Sequence, residues 1–223
     1  MLGAGLLWFG WYGFNAGSAL SSGGIAATTF VTTTVATAAA MLSWLLVEKI
    51  RDGHATSLGA ASGVVAGLVA ITPSCSSVNV LGGALAIGVI GGAVCALAVG
   101  LKFKLGFDDA LDVVGVHLVG GLTGTLLIGL FATSEAPAAV KGLFYGGGVD
   151  QLWRQAVGAF AVLAYSFIVT TILAMILKFT IGLRLGEEDE VNGIDEAEHA
   201  ETGYDYASVG GGSVIGKHPG LEV

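Results

Sequence analysis

The sequence predicts an all-α fold: a polytopic membrane helix bundle with six transmembrane helices. Of the 223 residues, 54% are hydrophobic and only 12% are charged, against roughly 25% charged in an average globular protein. No Asp, Glu, Lys or Arg occurs before Glu48. Because a soluble core cannot enclose so much uninterrupted apolar sequence, a lipid bilayer is the expected solvent.

Six apolar segments define the predicted helices. Their ranges are 1–20, 25–47, 58–72, 80–101, 112–132 and 156–181. A spanning helix needs about 20 residues, so five of these segments reach across a bilayer with ease and the third is short. Ser57 is the expected N-cap of the third helix, and Thr72-Pro73 is expected to end it.

The chain is expected to divide into a transmembrane domain, residues 1–185, and a cytoplasmic tail, residues 186–223. Nine of the 17 acidic residues lie between Glu187 and Asp205, and residues 209–216 are rich in Gly and Ser. This composition predicts a tail with little stable structure. The net charge of −8 therefore belongs mainly to the tail, and nothing indicates a basic nucleic-acid surface.

The Lys and Arg residues between the segments predict the orientation in the membrane. Six of them follow segments two, four and six, whereas two lie on the opposite side. The first group comprises Lys49, Arg51, Lys102, Lys104, Lys178 and Arg184, and the second comprises Lys141 and Arg154. Positive residues accumulate on the cytoplasmic side. We therefore expect a multi-pass protein of the plasma membrane with both termini cytoplasmic.

Glycines recur every four residues inside several segments. They are Gly59, Gly63 and Gly67, then Gly88 and Gly92, then Gly120 and Gly124. This spacing places small residues on one helix face and predicts close helix packing. Two isolated cysteines lack metal-ligand spacing, and no disulfide is expected. P-loop, dinucleotide-binding, CxxC and HExxH motifs are absent, so neither an enzyme nor a metal or cofactor is expected.

His117 is the residue that most directly indicates a function. It lies about five residues into segment five, which is otherwise apolar to Ala132. An ionisable side chain at membrane depth is costly and by default marks a transport pathway. Neutral imidazole both donates and accepts hydrogen bonds, which suits a small polar solute or a proton. A buried histidine bonded to a neighbouring helix explains the residue equally well.

Three acidic residues, Asp108, Asp109 and Asp112, precede His117. Carboxylates at a helix start are favoured by the helix dipole and can cap the first turn. A capping role is therefore the preferred interpretation, and a metal site is a weaker one because no further ligand is evident.

Aromatic side chains are concentrated on segment one. Trp8, Trp11 and Tyr12 share one helix face. They fit an interfacial aromatic belt, and they also fit a lining that binds a cation through its ring faces. Asn15 and Ser18 follow them, and these polar residues fit a hydrogen-bonded helix contact.

Four stretches resemble signatures of the ammonium transporter family, the Amt/Rh superfamily. They are WYGFNAGS at 11–18, GAASG at 59–63 leading to Thr72-Pro73, DDALDVVGVH at 108–117, and the acidic tail from EEDEVNGID at 187–195 to Glu201. The resemblance covers nearly the whole chain in the right order. It implies helices six to eleven of an eleven-helix fold, which amounts to one inverted repeat plus the final helix.

The resemblance also implies roles for individual residues. His117 corresponds to the second member of a pore-lining histidine pair, and Trp11 to an aromatic near the middle of the pore. Phe14 corresponds to one of two gate phenylalanines, and Ser18 to the hydroxyl of an external ammonium site. Asp109 and Asp112 match acidic positions at the cytoplasmic start of helix ten and are expected to be structural near the pore.

Ammonium or ammonia is the substrate that the resemblance implies, with a homotrimer as the complete assembly and a PII-type signalling protein as a partner at the cytoplasmic face. The first pore histidine and the other gate phenylalanine of the family belong to helices one to five. We therefore expect a C-terminal fragment that is unstable and does not transport alone. The alternative is a non-transporting interaction subunit of a full-length trimer.

Overall fold

The structure, a computed structural model, describes residues 1–201, apart from the side chain of Asn192. The Gly- and Ser-rich stretch at 209–216 therefore lies outside the described residues. Within residues 1–201 every regular element is helical. The predicted all-α fold is confirmed.

The helices follow the six predicted segments closely. In chain order they are α1 (Leu2–Asn15), α2 (Gly24–Asp52), α3 (Ser57–Ile71), α4 (Leu85–Ala98), α5 (Leu101–Leu105), α6 (Val119–Phe131), α7 (Asp150–Thr180), α8 (Glu187–Asn192) and α9 (Ile194–His199). Two π-helical turns, Val80–Ala84 and Val113–Leu118, lead directly into α4 and α6. Short 3₁₀ turns occupy Gly17–Ala19 and Leu143–Tyr145.

Four of the described helical stretches are long and apolar enough to cross a membrane. They are Gly24–Asp52, Val80–Leu105, Val113–Phe131 and Asp150–Thr180. The 15 residues of α3 rise only about 22 Å, less than the roughly 30 Å of a bilayer core. The 14 residues of α1 are shorter still. All six predicted helices are present, and the number of full spans remains a prediction.

The start of α3 differs from the prediction by one residue. Thr56, not Ser57, is the N-cap, and its hydroxyl accepts a hydrogen bond from the Gly59 amide at 2.8 Å. Glu48, near the end of α2, accepts hydrogen bonds from both the amide and the hydroxyl of Thr56. The N-cap is Thr56 and not Ser57 because the Glu48 carboxylate holds Thr56 in the extended backbone geometry of an N-cap.

Helix α2 packs tightly against both α3 and α4 through glycines, as predicted. A methyl group added at Gly67 of α3 would lie 2.6 Å from the Ala40 side chain and 2.7 Å from the Thr37 Cα atom. A methyl group added at Gly88 or Gly92 of α4 would likewise collide with the α2 backbone, at the carbonyl oxygens of Ala36 and Ala40. These contacts bring three helix backbones together around a core of small residues.

The chain forms two compact units, Met1–Tyr165 and Ser166–Val223. The first contains α1 to α6 and the start of α7, and the described part of the second contains the rest of α7 with α8 and α9. Within the second unit the Arg184 side chain forms an ion pair with Glu190. The predicted boundary at residue 185 remains a prediction.

Candidate functional site

Helix α1 carries two of the four predicted pathway residues, Trp11 and Phe14, and leaves much of its surface uncovered. Phe14 is 61% exposed, and Ser18, in the 3₁₀ turn that follows α1, is also exposed. Trp11 is half-buried, and its ring meets that of Phe14 edge to face at 5.3 Å. Ser18 caps the end of the helix by donating its hydroxyl proton to the Phe14 carbonyl oxygen.

Phe14 and Ser18 line a common cleft of about 370 Å³, here called the Ser18 cleft. The remaining lining residues come from the end of α1 and the 3₁₀ turn after it, from the start of α2, and from the end of α3 with the loop that follows it. They are Asn15, Ala19, Ile25, Thr29, Thr72, Cys75 and Ser76. The cleft therefore combines one exposed aromatic ring with several hydroxyl groups. Such a lining can contact a small cation through both the ring face and hydroxyl oxygens.

A chain of hydrogen bonds fixes α1 beneath the Ser18 cleft. The Trp11 indole N–H donates to the Thr72 hydroxyl at 2.8 Å. The Thr72 proton is shared between the Leu68 carbonyl at 2.6 Å and Asn15 Oδ1 at 3.1 Å. Asn15, which is 6% exposed, donates in turn to the Thr33 hydroxyl at 3.1 Å. This network joins α1 to both α2 and α3.

The other aromatic residues of α1 also contact its neighbours. Tyr12 stacks on Phe30 of α2 at 3.9 Å, and its hydroxyl shares a hydrogen bond with that of Thr34. The indole nitrogen of Trp8 is closed off from solvent and has no hydrogen-bond partner among the described residues. Trp11 and Tyr12 therefore make helix–helix contacts. These contacts do not distinguish an interfacial aromatic belt from a lining that binds a cation.

His117 lies in a second cleft of about 200 Å³, here called the His117 cleft. Its lining comes from the first half of α1, from α3 and from the residues around the second π-helical turn: Ala4, Leu7, Ala61, Ser62, Val65, Leu111, Asp112 and Val116. The His117 side chain is exposed, and among residues 1–201 it forms no hydrogen bond or ion pair. Both ring nitrogens are therefore available to a solute.

Two of the three predicted acidic residues make contacts at the start of the helix that carries His117. Asp109 accepts hydrogen bonds from the Val113 amide at 2.7 Å and the Val114 amide at 2.9 Å. Asp112 lies 2.8 Å from the Lys102 ammonium group. These are the contacts of a helix cap and an ion pair. No group of side chains suited to hold a metal ion occurs in the described part of the chain.

The predicted residues do not form one site: Phe14 and Ser18 line one cleft, His117 and Asp112 line another, and Trp11 and Asp109 line neither. Leu7 lines the His117 cleft and Phe14 lines the Ser18 cleft, so about 10 Å of helix axis separates them. Trp11 lies between them on the same helix. In the direction from the end of α1 toward its start, the hydroxyl-rich Ser18 cleft comes first, then Trp11, and then the cleft that contains the His117 imidazole.

Sequence reasoning missed the polar wall of the Ser18 cleft. Thr29, Thr72, Cys75 and Ser76 all line it, but none was predicted as a site residue. The only signal was polar residues at the ends of apolar segments. Burial raises the pKa of the Cys75 thiol above its usual value, so this group is a neutral thiol at physiological pH and not a nucleophile.

Comparison with known proteins extends over nearly the whole chain. The sequence profile of the Ammonium Transporter Family matches residues 1–204. The ammonium transporter of Mycobacterium tuberculosis strain H37Rv is 74% identical over 221 residues, which cover 96% of this chain and 46% of the relative. The crystal structure of Saccharomyces cerevisiae Mep2 superimposes with a TM-score of 0.78 and 37% identity, over 84% of this chain and 43% of Mep2.

A further similar structure is that of a protein named Sensor Amt Protein. It has a TM-score of 0.80 and 33% identity, over 88% of this chain and 48% of the sensor protein. The chain spans about half the length of the curated relatives it matches. The matched range includes both Trp11 and His117. This multi-pass membrane chain belongs to the ammonium transporter family.

Proposed function

We propose that the chain forms one wall of a transmembrane pathway for ammonium or ammonia. The observation that carries this proposal is the arrangement along α1: an exposed aromatic ring and a hydroxyl in the Ser18 cleft, then Trp11, then the His117 cleft. A polar entrance that leads through an aromatic region to an imidazole suits a solute that is a cation in water and a neutral amine in the membrane.

Each residue has a defined task in this proposal. The Ser18 hydroxyl and the Phe14 ring recruit the cation, the first by accepting a hydrogen bond and the second through its ring face. The half-buried Trp11 narrows the route beyond them. His117 then exchanges hydrogen bonds with the neutral amine, because a neutral imidazole presents one donor and one acceptor. These tasks are those of a transporter, with no covalent step for an enzyme to catalyse.

Other helices complete the wall opposite α1. Phe9 is 78% exposed and Leu2 is 79% exposed, and the pathway residues lie on open clefts. A pathway that conducts a polar solute through lipid must be enclosed by protein on every side. We assign the opposite wall to helices equivalent to the unmatched half of the relatives, whether in this polypeptide or in another, and the complete assembly to a homotrimer.

The orientation and partners are part of the same proposal. The distribution of Lys and Arg supports cytoplasmic positions for the end of α2, for α5 and for the tail. The likeness to a protein named as a sensor supports a signalling partner at this face, of the PII type. We further propose a transmembrane domain over residues 1–185 and a cytoplasmic tail over residues 186–223. The acidic tail follows the last apolar helix and would lie on the side of the membrane where that partner binds.

Uptake of labelled methylammonium tests the proposal. Cells without their own ammonium transporters would produce either the 223-residue chain alone or the chain joined behind the N-terminal half of the Mycobacterium tuberculosis relative. We expect saturable uptake from the joined protein and none from the chain alone. Lack of uptake by a joined protein that reaches the membrane in normal amounts would refute the proposal.

The alternative, a non-transporting subunit of a full-length trimer, is favoured by the same open face of α1. It predicts that the chain co-purifies with the full-length relative and lowers uptake by that relative in proportion to its amount. Uptake by the joined protein distinguishes the transport pathway from the non-transporting subunit. A pathway requires uptake through the residues of this chain, whereas a non-transporting subunit does not.

A further inference from the structure

Lys102 lies between Asp109 and Asp112, two of the three acidic residues that precede His117. It belongs to the five-residue helix α5, and its ammonium group lies 2.8 Å from Asp112 Oδ1. The same group donates a hydrogen bond to the Asp109 carbonyl oxygen at 2.9 Å. The Lys102 side chain is 17% exposed and that of Asp112 is 34% exposed. This pair is thus shielded more than an ordinary surface ion pair.

Asp112 needs this contact because of its backbone. Its φ angle is 56°, in the left-handed region that residues other than glycine rarely adopt. Asp112 Oδ1 is closed off from solvent and accepts no hydrogen bond of good geometry among the described residues, so the ion pair with the Lys102 ammonium group at 2.8 Å is its compensation. The Asp112 carbonyl oxygen accepts a hydrogen bond from the Val116 amide at 2.8 Å. The residue thus begins the π-helical turn at a conformation that is costly without support.

Asp109 supports the same turn from its other side. Its two carboxylate oxygens accept hydrogen bonds from the Val113 and Val114 amides. Its carbonyl oxygen accepts one from the Asp112 amide and a second from Lys102. Among residues 1–201, Lys102 is therefore the side chain that bonds to both aspartates, through the Asp109 carbonyl oxygen and the Asp112 carboxylate. These two aspartates hold the first turn of the helix that presents His117.

We propose that Lys102 is a positioning residue for transport: it sets the orientation of the Val113–Leu118 turn and thereby the place of the His117 imidazole in its cleft. The inference rests on the proposed function, since it concerns the imidazole that the solute is to meet. Asp112 lines the same cleft as His117, so a shift of this turn alters both residues at once. Lys102 itself does not line the cleft.

Three variants separate this role from a general effect of charge. Lys102→Met removes the ammonium group and keeps the length of the side chain. Lys102→Arg keeps a positive charge and hydrogen-bond donors. Lys104→Met is the matched control, because Lys104 lies two residues away on the same helix, is exposed, and has no ion pair or hydrogen bond among the described residues.

The first readout does not depend on transport. In the joined protein, purified in detergent, hydrogen exchange at the Val113 and Val114 amides reports whether the turn is held. We expect exchange there to accelerate on the order of tenfold in Lys102→Met, and to stay unchanged in Lys104→Met. Exchange in α2 is expected to stay unchanged in both variants. Unchanged exchange at Val113 and Val114 in Lys102→Met would overturn the proposal.

The second readout is methylammonium uptake by the joined protein. Misplacing a group by about 1 Å lowers rates by up to about 100-fold. We therefore expect Lys102→Met to lower the maximal rate about tenfold with little change in KM, since the Ser18 cleft is untouched. Lys102→Arg should recover most of the rate. An unchanged rate in Lys102→Met would overturn the proposal, whereas lack of uptake by the unsubstituted joined protein counts against the proposed function only.

Discussion

At the scale of single residues, Thr72 and His117 show two surroundings for a polar group: a network of hydrogen bonds and an open cleft. Thr72 illustrates the first case, because its hydroxyl accepts from Trp11 and donates toward Leu68 and Asn15. His117 illustrates the second, since it is exposed in its cleft. The sequence marked His117 as unusual because it interrupts an apolar segment. Thr72 carried no such signal, since a threonine before a proline equally marks a helix end.

Removing the Thr72 hydroxyl is expected to loosen α1. In Thr72→Val the Trp11 indole N–H loses its acceptor and Asn15 loses one partner, which costs about 1–3 kcal/mol of stability for buried polar groups. Thr72→Ser is the matched control because it keeps the hydroxyl. Thermal unfolding of the purified protein in detergent measures the effect. Equal melting temperatures for the Val and Ser variants would show that the network does not hold the helix.

The Cys75 thiol is expected to react slowly at neutral pH. Burial raises its pKa, so the thiolate fraction that attacks a maleimide is smaller than for an exposed thiol, and the rate should keep rising with pH beyond the usual pKa. Mass spectrometry after timed labelling of the folded and the denatured chain measures this difference. Equal labelling rates in the two states at pH 7 would contradict the described burial of Cys75.

At the scale of helices, long apolar runs predicted the elements well, because a bilayer demands a minimum length of apolar helix. The boundaries depended on contacts that a pattern does not contain. The N-cap of α3 is Thr56 because Glu48 of another helix binds it. The two π-helical turns were not predicted, since one extra residue within a turn leaves the composition of an apolar segment unchanged. The two clefts likewise depend on how α1 meets α3.

The glycine contact between α2 and α3 offers a test at this scale. In Gly67→Ala the new methyl group would lie 2.6 Å from Ala40 Cβ and 2.7 Å from Thr37 Cα, so the helices must separate, at a cost of roughly 1–3 kcal/mol. Gly158→Ala in α7 is the control, because nothing lies within 4 Å of the added group there. The melting temperature should fall, and the monodisperse size-exclusion peak should shrink, for Gly67→Ala but not for Gly158→Ala. Equal behaviour of the two variants would contradict the close packing.

The contact between Arg184 and the short helix α8 offers another test at the scale of helices. Hydrogen bonding to Arg184 holds the pKa of the Glu190 carboxyl below its usual value. The group therefore adds stability to this contact above the unfolded pKa of about 4.3, and that stability is lost as pH falls through the lower folded value. NMR titration of the carboxyl carbon should give a depressed midpoint, which returns to the usual range in Arg184→Met. The same midpoint in both proteins would contradict the pair.

At the scale of the whole molecule, the described chain presents a large apolar and aromatic surface that includes α1. Helix α7 has no buried residues, and α1 buries only Asn15. Lipid can cover the apolar side of such helices, but it cannot accommodate the hydroxyl-rich Ser18 cleft or the exposed imidazole. This fits the proposal that helices equivalent to the unmatched half of the relatives, in this polypeptide or in another, cover the open side of α1, and that lipid covers the outward side of the remaining helices.

The central claim is that the solute passes His117, and its most direct test is methylammonium uptake by the joined protein with His117 replaced. His117→Phe removes both ring nitrogens and keeps an aromatic ring of similar size, whereas His54→Ala replaces an exposed histidine of the α2–α3 connection. We predict that His117→Phe lowers the uptake rate about tenfold or more at equal membrane content and that His54→Ala leaves it unchanged. Undiminished uptake by His117→Phe would place the pathway elsewhere and contradict the account.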